Sequence, residues 1–540
     1  MKKLFGKIFN FESKSISGGA LIIAIFYILN GVLALLRNGL LASKFGASRI
    51  LDIYWASFRI PDLLYVIFIS GALSAGFIPF FAQKINQSKE EAWRLANNIL
   101  STFILMLMLV AILVIFFAPS LVPLIVPGFN SADQKQVVNF LRIMMLQPIF
   151  LGISSILSGM LQTFRRFFIT SLSPIFYNLG IILGIIFFIH FLGPIGLAYS
   201  VILGAILHLL VLVPSLKNIG FRFNFLPNFK SPNLKNLFSI AGPRTLSLIS
   251  TQINFWVITI IASRLEKGSL AIFNFANDLQ YLPQNIFAVS FAISAFPILS
   301  GLINESEKFN NILAKTIKNI LLFIIPISAF YFVFKEQIVK LTLRYGYFDF
   351  LAAKEVFTIL GIFAFGMIAS ALLPLLIRAF FAKQDAFRPF FAGFSANILN
   401  IILSLILAPR FGVGGLTIAF VASNYFNLAL LWLMMIGRKI IEETGEQIWK
   451  QLKKFIIGNI ICSLAAVLVS YLYLILFSYF VKADSFVQIF TQAIFGFLIL
   501  TAVYFLLFYL LMRKEFLAFW KENLLFKRFF KKSQSSYETD

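Results

Sequence analysis

Apolar runs of about twenty residues recur along the whole chain, mostly separated by connections of only a few residues. Twenty residues of helix span about 30 Å, the thickness of a bilayer's hydrocarbon core. No water is present there to take up backbone N–H and C=O groups, so each run must bond its own backbone, and a helix does so within one segment. Composition agrees. The 540 residues are 60% hydrophobic and 13% charged, against about 45–50% and 25% in soluble domains, and the mean hydropathy is +0.90. A disordered chain, a disulfide scaffold and an ordinary cytosolic enzyme are excluded. The expected fold is an all-α polytopic membrane protein of about fourteen transmembrane helices. They lie near 19–43, 59–82, 97–122, 139–161, 168–191, 195–215, 238–262, 272–300, 313–333, 357–381, 389–408, 413–436, 455–480 and 488–511. Only 216–237, 334–356 and 437–454 resemble real loops, and no soluble domain fits between the runs.

The charge is unbalanced, 46 Lys and Arg against 22 Asp and Glu, for a net +24. With the N-terminus placed in the cytoplasm, about 31 of the 46 basic residues fall on that side. They include Lys217, Arg222, Lys230 and Lys235, then Arg438, Lys439, Lys450, Lys453 and Lys454, and a run from Lys527 to Lys532. Loop 334–356, with Lys335, Lys340, Arg344 and Lys354, is the main exception. The asymmetry implies an even number of spans with both termini cytoplasmic, so the basic surplus orients helices and meets anionic lipid rather than nucleic acid. The basic, amphipathic start of the chain has no cleavage motif before its first apolar run, which reads as a retained helix.

The chain repeats itself at an offset near 220 residues. Leu41-Ala42-Ser43-Lys44 corresponds to Ile261-Ala262-Ser263-Arg264, and Phe77-Ile78-Pro79 to Ala295-Phe296-Pro297. Pro127-Gly128-Phe129 stands opposite Gly346-Tyr347-Phe348, Asn178 opposite Asn397, and Gly193 to Leu197 opposite Gly412 to Leu416. Such an offset carries six spans, so both copies enter the membrane from the same side, as parallel repeats do. The expected organisation is a cytoplasmic segment 1–16, an N-lobe 17–217 of six spans, a cytoplasmic linker 218–236 and a C-lobe 237–438 of six spans. A loop and two further helices follow over 439–512, then a basic cytoplasmic tail 513–540. Two such lobes place a substrate between them and suggest alternating access by rocking. Two helix bundles without transport are the bland alternative.

Polar groups inside hydrocarbon are costly, so those present mark cavities, pairs or pathways. Arg37 lies in the outer part of the first span, and Asp52, Arg59 and Asp62 gather around the start of the second. The two arginines either serve a cavity or extend to the interface. In span 7, Arg244, Ser247, Thr251 and Asn254 share one helical face. Span 8 opens with Asn274, Asn277, Asp278, Tyr281 and Asn285 at helical spacing, with Pro283 available to kink it. These faces are either the wall of a wet cavity or interhelical glue. Between spans 10 and 11, Arg378 to Pro389 forms a short elbow in which Arg378 and Asp385 stand seven residues apart. It reads as a gate, or as a turn carrying positive-inside charge. One cysteine, Cys462, and two histidines, His190 and His208, leave no basis for a disulfide, a metal cluster or a His-based triad. No Gly-rich phosphate loop, HExxH or GxSxG occurs, so no enzyme and no metal or other cofactor is expected.

At these residues the sequence resembles the MurJ/MviN lipid II flippase family, within the multidrug/oligosaccharidyl-lipid/polysaccharide exporter superfamily. The resemblance rests on Arg37, the run Ala42-Ser-Lys-Phe45-Gly46-Ala47, Asp52, Pro61-Asp-Leu-Leu and Gly71 to Pro79. It continues through Pro127-Gly-Phe129, the Asn178 region, Pro243-Arg244-Thr and the Arg378–Pro389 elbow, covering about residues 17–438. It implies transbilayer movement of undecaprenyl-pyrophosphate-linked disaccharide-pentapeptide, the peptidoglycan precursor, from the inner to the outer leaflet of a bacterial inner membrane. A monomer, cell-wall synthesis proteins as partners, and coupling to the membrane potential or a monovalent cation are further expectations. Arg37 and Asp52 would match essential polar positions, Arg59 a basic one, and Arg244, Thr251, Asn254 and Asp278 would complete the cavity wall. Gly31, Tyr65 and Asp278 stand where the family carries arginines, and Ser70 where it carries an acid. For the family's sodium site Asn397 and Thr417 match, while Ile401 and Asn254 replace acidic residues. These departures keep a second substrate class open, another undecaprenyl-linked glycan of O-antigen or capsule type, and a non-transporting scaffold is the third reading.

Overall fold

The computed structural model describes residues 16–70, 77–437, 445–481, 485–517 and 519. Nearly all of them are helical, and no strand occurs among the described residues. In chain order the helices are α1 (Ile16–Phe45), α2 (Arg49–Ser57), α3 (Arg59–Tyr65), α4 (Ile78–Gln87), α5 (Lys89–Ile125), α6 (Ser131–Met144) and α7 (Gln147–Thr163). Next come α8 (Phe167–Leu192), α9 (Gly196–Leu210), α10 (Val213–Ile219), α11 (Pro232–Ala262), α12 (Ser269–Pro283) and α13 (Ser290–Gly301). The remainder are α14 (Ser306–Val333), α15 (Lys335–Thr342), α16 (Phe350–Ala382), α17 (Phe387–Gly437), α18 (Gly445–Phe480) and α19 (Phe486–Leu511).

Among the described residues, ten helical stretches are long and apolar enough to cross a membrane. Two of them, Phe167–Ile219 and Phe387–Ile436, run to 53 and 50 residues. At 1.5 Å per residue each is more than twice the hydrocarbon thickness, the length of two crossings. Each turns at a glycine in the left-handed region, Gly193 with φ 63° and Gly412 with φ 57°. A side chain there would be strained, and the two glycines are the repeat-related pair found in the sequence. A second backbone feature repeats at the same spacing. Short π-helical segments occur at Val66–Ser70, after α3, and at Gln284–Val289, after α12.

The chain forms two compact units. Unit one comprises Met1–Phe275, Tyr345–Ala352 and Gly393–Ala419; unit two comprises Ala276–Arg344, Ala353–Ala392 and Phe420–Asp540. In unit one, α8 and α9 approach through small residues. A Cβ on Gly180 would lie 2.5 Å from Gly204 Cα, and one on Gly184 would lie 2.5 Å from Ser200 Cα. Close backbone approach of this kind is how helices associate where lipid removes the hydrophobic drive. The segment after α10 is strapped to α5 by polar side chains. Asn97 donates to Arg222 O and accepts from Asn224 N, while Ser101 accepts from Leu226 N. Asn98 donates to the carbonyls of Leu226 and Asn228.

Unit two has a large apolar core built from α13, α14, α16, α18 and α19. Its main polar tie has a local cause. Pro326 lies inside α14; it has no N–H, and its ring disturbs the carbonyl four residues back, Leu322. Tyr504 of α19 donates its hydroxyl to Leu322 O at 3.0 Å, and Asn459 of α18 donates to the adjacent Leu321 O at 3.2 Å. Tyr504 also bonds Asn459 Oδ1 at 3.0 Å. Tyr504 therefore supplies Leu322 O with the partner that Pro326 cannot, and Asn459 adds a bond to the neighbouring carbonyl.

Candidate functional site

The polar groups of unit one form a connected seam rather than scattered defects. Arg37 sits on α1, one side of which packs on α8. Its Nε and one terminal nitrogen donate to Asn38 Oδ1 at 3.2 and 3.1 Å, and its other terminal nitrogen donates to Asn178 Oδ1 at 3.1 Å. Asn178 in turn donates to Asn30 Oδ1 at 2.9 Å, tying two turns of α1 to α8. Asn38 and Asn178 are neutral amides, and their oxygens orient the planar guanidinium fork. Arg37 is half-buried, whereas Asn38 and Asn178 are buried. The Tyr177 hydroxyl lies within electrostatic range of Arg37, Asp62, Tyr54 and Tyr65, and Asp62 within range of Arg59.

Arg59 marks the far end of the seam, 6% exposed. Its Nε donates to Thr259 Oγ1 at 2.7 Å, a terminal nitrogen reaches Asn274 Oδ1 at 3.4 Å, and the guanidinium lies 5.5 Å from the Phe255 ring centroid. Trp256 Nε1 donates to Arg59 O at 2.9 Å. Arg59 thus joins α3 to α11 and α12 and is held inside the protein, while Arg37 keeps partial access.

Asp52 has an architectural place. Its Oδ2 accepts from Gly268 N at 2.7 Å and its Oδ1 from Ala271 N at 3.0 Å. Gly268 immediately precedes α12 and Ala271 lies in its first turn, whose N–H groups a helix cannot satisfy internally, and a carboxylate there also complements the helix dipole. Arg49 bridges Asp52 at 3.3 Å and Asp133 at 3.5 Å, and stacks 4.2 Å over Phe129. Gly268 adopts φ 91°, and a Cβ there would strike Ala47 O. Asp52 is 1% exposed. Burial pushes its carboxyl up to about 6, opposed by the Gly268 and Ala271 N–H groups and by Arg49.

Asn254, expected in the cavity wall, accepts from Asn400 Nδ2 at 2.6 Å, and Asn400 Oδ1 accepts from Ser404 at 2.9 Å. Asn397, one turn before Asn400, is half-buried. Thr417 is buried and donates to Val413 O on its own helix at 3.0 Å. The side chains of Arg244 and Thr251 lie outside the described residues. Sequence reasoning did not single out Asn38, Tyr177, Thr259 or Asn400. A spacing signal existed only for Asn400, three residues after Asn397.

In unit two, Asn277, Gln280 and Gln284 form a buried amide ladder along one face, with links of 3.0 and 3.2 Å. Asp278 is half-buried beside it, within electrostatic range of Tyr281. At the elbow, Asp385 accepts from the Arg388 backbone at 3.2 Å and side chain at 2.5 Å, capping α17. Arg378 donates to Pro374 O on α16 at 3.0 Å. Lys383 reaches Ile303 O at 2.6 Å and lies 4.7 Å over Phe309.

The sequence profile of a family described as "Lipid II flippase MurJ" matches residues 41–491. A "Probable lipid II flippase MurJ" of Buchnera aphidicola subsp. Schizaphis graminum is 29% identical, with 90% of this chain and 95% of the relative aligned. The "Lipid II flippase MurJ" of Burkholderia cenocepacia is 28% identical over 77% of this chain and 83% of its own. Among solved structures, "Lipid II flippase MurJ, inward closed conformation" superposes with a TM-score of 0.75 at 24% identity, covering 92% of this chain and 99% of that one. An inward-facing multidrug resistance MATE family transporter of the MOP superfamily reaches 0.65 at 15% identity, over 79% and 99%. The fold is that of these transporters, and the chain is a multi-pass membrane protein that belongs to the lipid II flippase MurJ family.

Proposed function

We propose that this chain moves lipid II, the undecaprenyl-pyrophosphate-linked peptidoglycan precursor, from the inner to the outer leaflet of the bacterial cytoplasmic membrane. It acts as a transporter, not an enzyme, by alternating access of two six-helix lobes, 17–217 and 237–438, within fourteen crossings and with both termini cytoplasmic. The family match along 41–491 carries the reading. The Arg37 bracket supplies its chemistry, because a guanidinium with partial access offers paired donors to phosphate oxygens. An inside-negative potential favours outward movement of the anionic headgroup by about 2.3 kcal/mol per charge per 100 mV. Coupling to that potential or to a monovalent cation belongs to the same proposal, as does action as a monomer beside cell-wall synthesis proteins.

A second reading, export of another undecaprenyl-linked glycan, is favoured by Tyr65, which replaces a family arginine and bonds Ser155 Oγ at 3.0 Å. Both readings are tested in cells depleted of their own flippase, with outer-leaflet lipid II labelled chemically. The proposal requires rescue by the wild-type chain. Rescue of O-antigen or capsule export alone selects the second reading.

A further inference from the structure

Unit one holds a cavity of about 800 Å³ outside the polar seam, between α5, α7, α9 and α10. Its walls are apolar, with Ile104, Ile153, Leu157, Leu209 and Val213 among them. The volume lies within the range of ligand pockets, about 300–1,000 Å³. Its rim has the opposite character. Lys217, at the end of α10, and Arg222, on the strap, both line the mouth. Lys89 Nζ stands 3.9 Å from where a Cβ on Gly220 would lie, between those two residues in the chain. Gly220 adopts φ 83°, which reverses the chain so that Phe221 is buried and Arg222 is exposed at the mouth.

The strap is held in place before any ligand arrives. Asn97, Asn98 and Ser101 are themselves buried and fix the backbone of residues 222–228 through five hydrogen bonds. Phe223, which also lines the cavity, Phe225 and Phe229 are 52%, 50% and 59% exposed. Aromatic and basic residues alternating beside transmembrane helix ends suit the headgroup region of a membrane.

An apolar groove with cations from three elements at its mouth has the chemistry of an anionic amphiphile. We propose that this groove binds an anionic glycerophospholipid, one acyl chain lying between α5, α7 and α9–α10 and the phosphate resting on Lys217, Arg222 and Lys89. The site is distinct from the Arg37 seam. It ties the linker between the two sequence repeats to the lipid around it.

The full-length protein in mild detergent is titrated with dioleoyl phosphatidylglycerol, dioleoyl phosphatidylcholine and farnesyl phosphate, and bound lipid is read by native mass spectrometry. The attraction of two or three basic residues at an anionic site corresponds to a preference of roughly 30- to 150-fold for phosphatidylglycerol over phosphatidylcholine. Lys217→Gln with Arg222→Gln, both exposed positions, brings the two lipids near parity. Leu210→Trp, which fills the groove from an exposed lining position, lowers phosphatidylglycerol retention without lowering the melting temperature. Equal retention of the two phospholipids by the wild type, or unchanged preference in the double variant, overturns the proposal. Displacement of phosphatidylglycerol by equimolar farnesyl phosphate also overturns it, because it assigns the groove to a prenyl lipid.

Discussion

Asp52→Ala tests the architectural place of the acid most sharply. The substitution removes the acceptor of two buried N–H groups, Gly268 and Ala271, at the N-terminus of α12. A buried donor left unsatisfied costs about 1–3 kcal/mol, so the pair costs roughly 2–6 kcal/mol. Arg49 retains Asp133 at 3.5 Å and its stacking on Phe129, so no further charge is orphaned. For a body of a few hundred residues, 1 kcal/mol shifts the melting temperature by about 2–4 °C, giving an expected fall of roughly 4–24 °C. Asp52→Asn keeps the shape and one accepting oxygen and falls less. The assay is intrinsic fluorescence of detergent-purified protein during heating. Melting of Asp52→Ala within about 1 °C of wild type refutes the capping argument. A fully stable Asp52→Asn variant that nonetheless fails to move lipid would instead assign the acid to the substrate.

The same carboxyl sets a pH dependence. Its folded value of about 6 lies above the ordinary 3.8, so this group's stabilising contribution is full below about 3.8 and is lost as pH rises through 6. Wild type therefore loses more melting temperature than Asp52→Asn between pH 5 and pH 7, and parallel curves contradict this. Tyr504→Phe strips the Leu322 carbonyl of its partner at the Pro326 kink and lowers stability by about 1–3 kcal/mol, while Pro326→Ala on that background recovers part of it; a thermal-shift series on the two variants decides. Gly180→Val forces a side chain onto the Gly204 backbone 2.5 Å away, so purified yield and melting temperature drop by more than the usual 1–3 kcal/mol overpacking cost; wild-type behaviour would show that α8 and α9 separate freely.

Helices and the repeat were legible because each is written in local pattern. Apolar length gives the spans, and the Gly193 and Gly412 pair, at matching positions, reappears as matching left-handed turns. Side-chain partners were not legible, because helix faces meet across long stretches of chain. Asp52 could be read as a polar residue near a span, but its donors lie more than two hundred residues away, at Gly268 and Ala271. Asn254 could be placed on a polar stripe, but its partner Asn400 could not. The elbow shows a different limit. Seven residues between Arg378 and Asp385 suggest one helical face, yet α16 ends at Ala382 and Gln384 takes φ 57°. The turn delivers Asp385 to Arg388. Arg59 had the right chemistry for a cavity, but its partners Thr259 and Asn274, distant in the chain, could not be read from the sequence.

The central claim is that Arg37 grips an anionic lipid-linked headgroup during transport. The direct measurement is outer-leaflet lipid II in flippase-depleted cells expressing wild type, Arg37→Lys or Arg37→Ala at matched membrane levels. Loss of a charge-assisted contact with phosphate, worth about 1.5–3 kcal/mol, predicts a transport rate lowered roughly 10- to 150-fold in Arg37→Ala. Arg37→Lys, which keeps the charge but not the planar fork, should fall between. Arg37→Ala that restores lipid II to the outer leaflet at the wild-type rate contradicts the account.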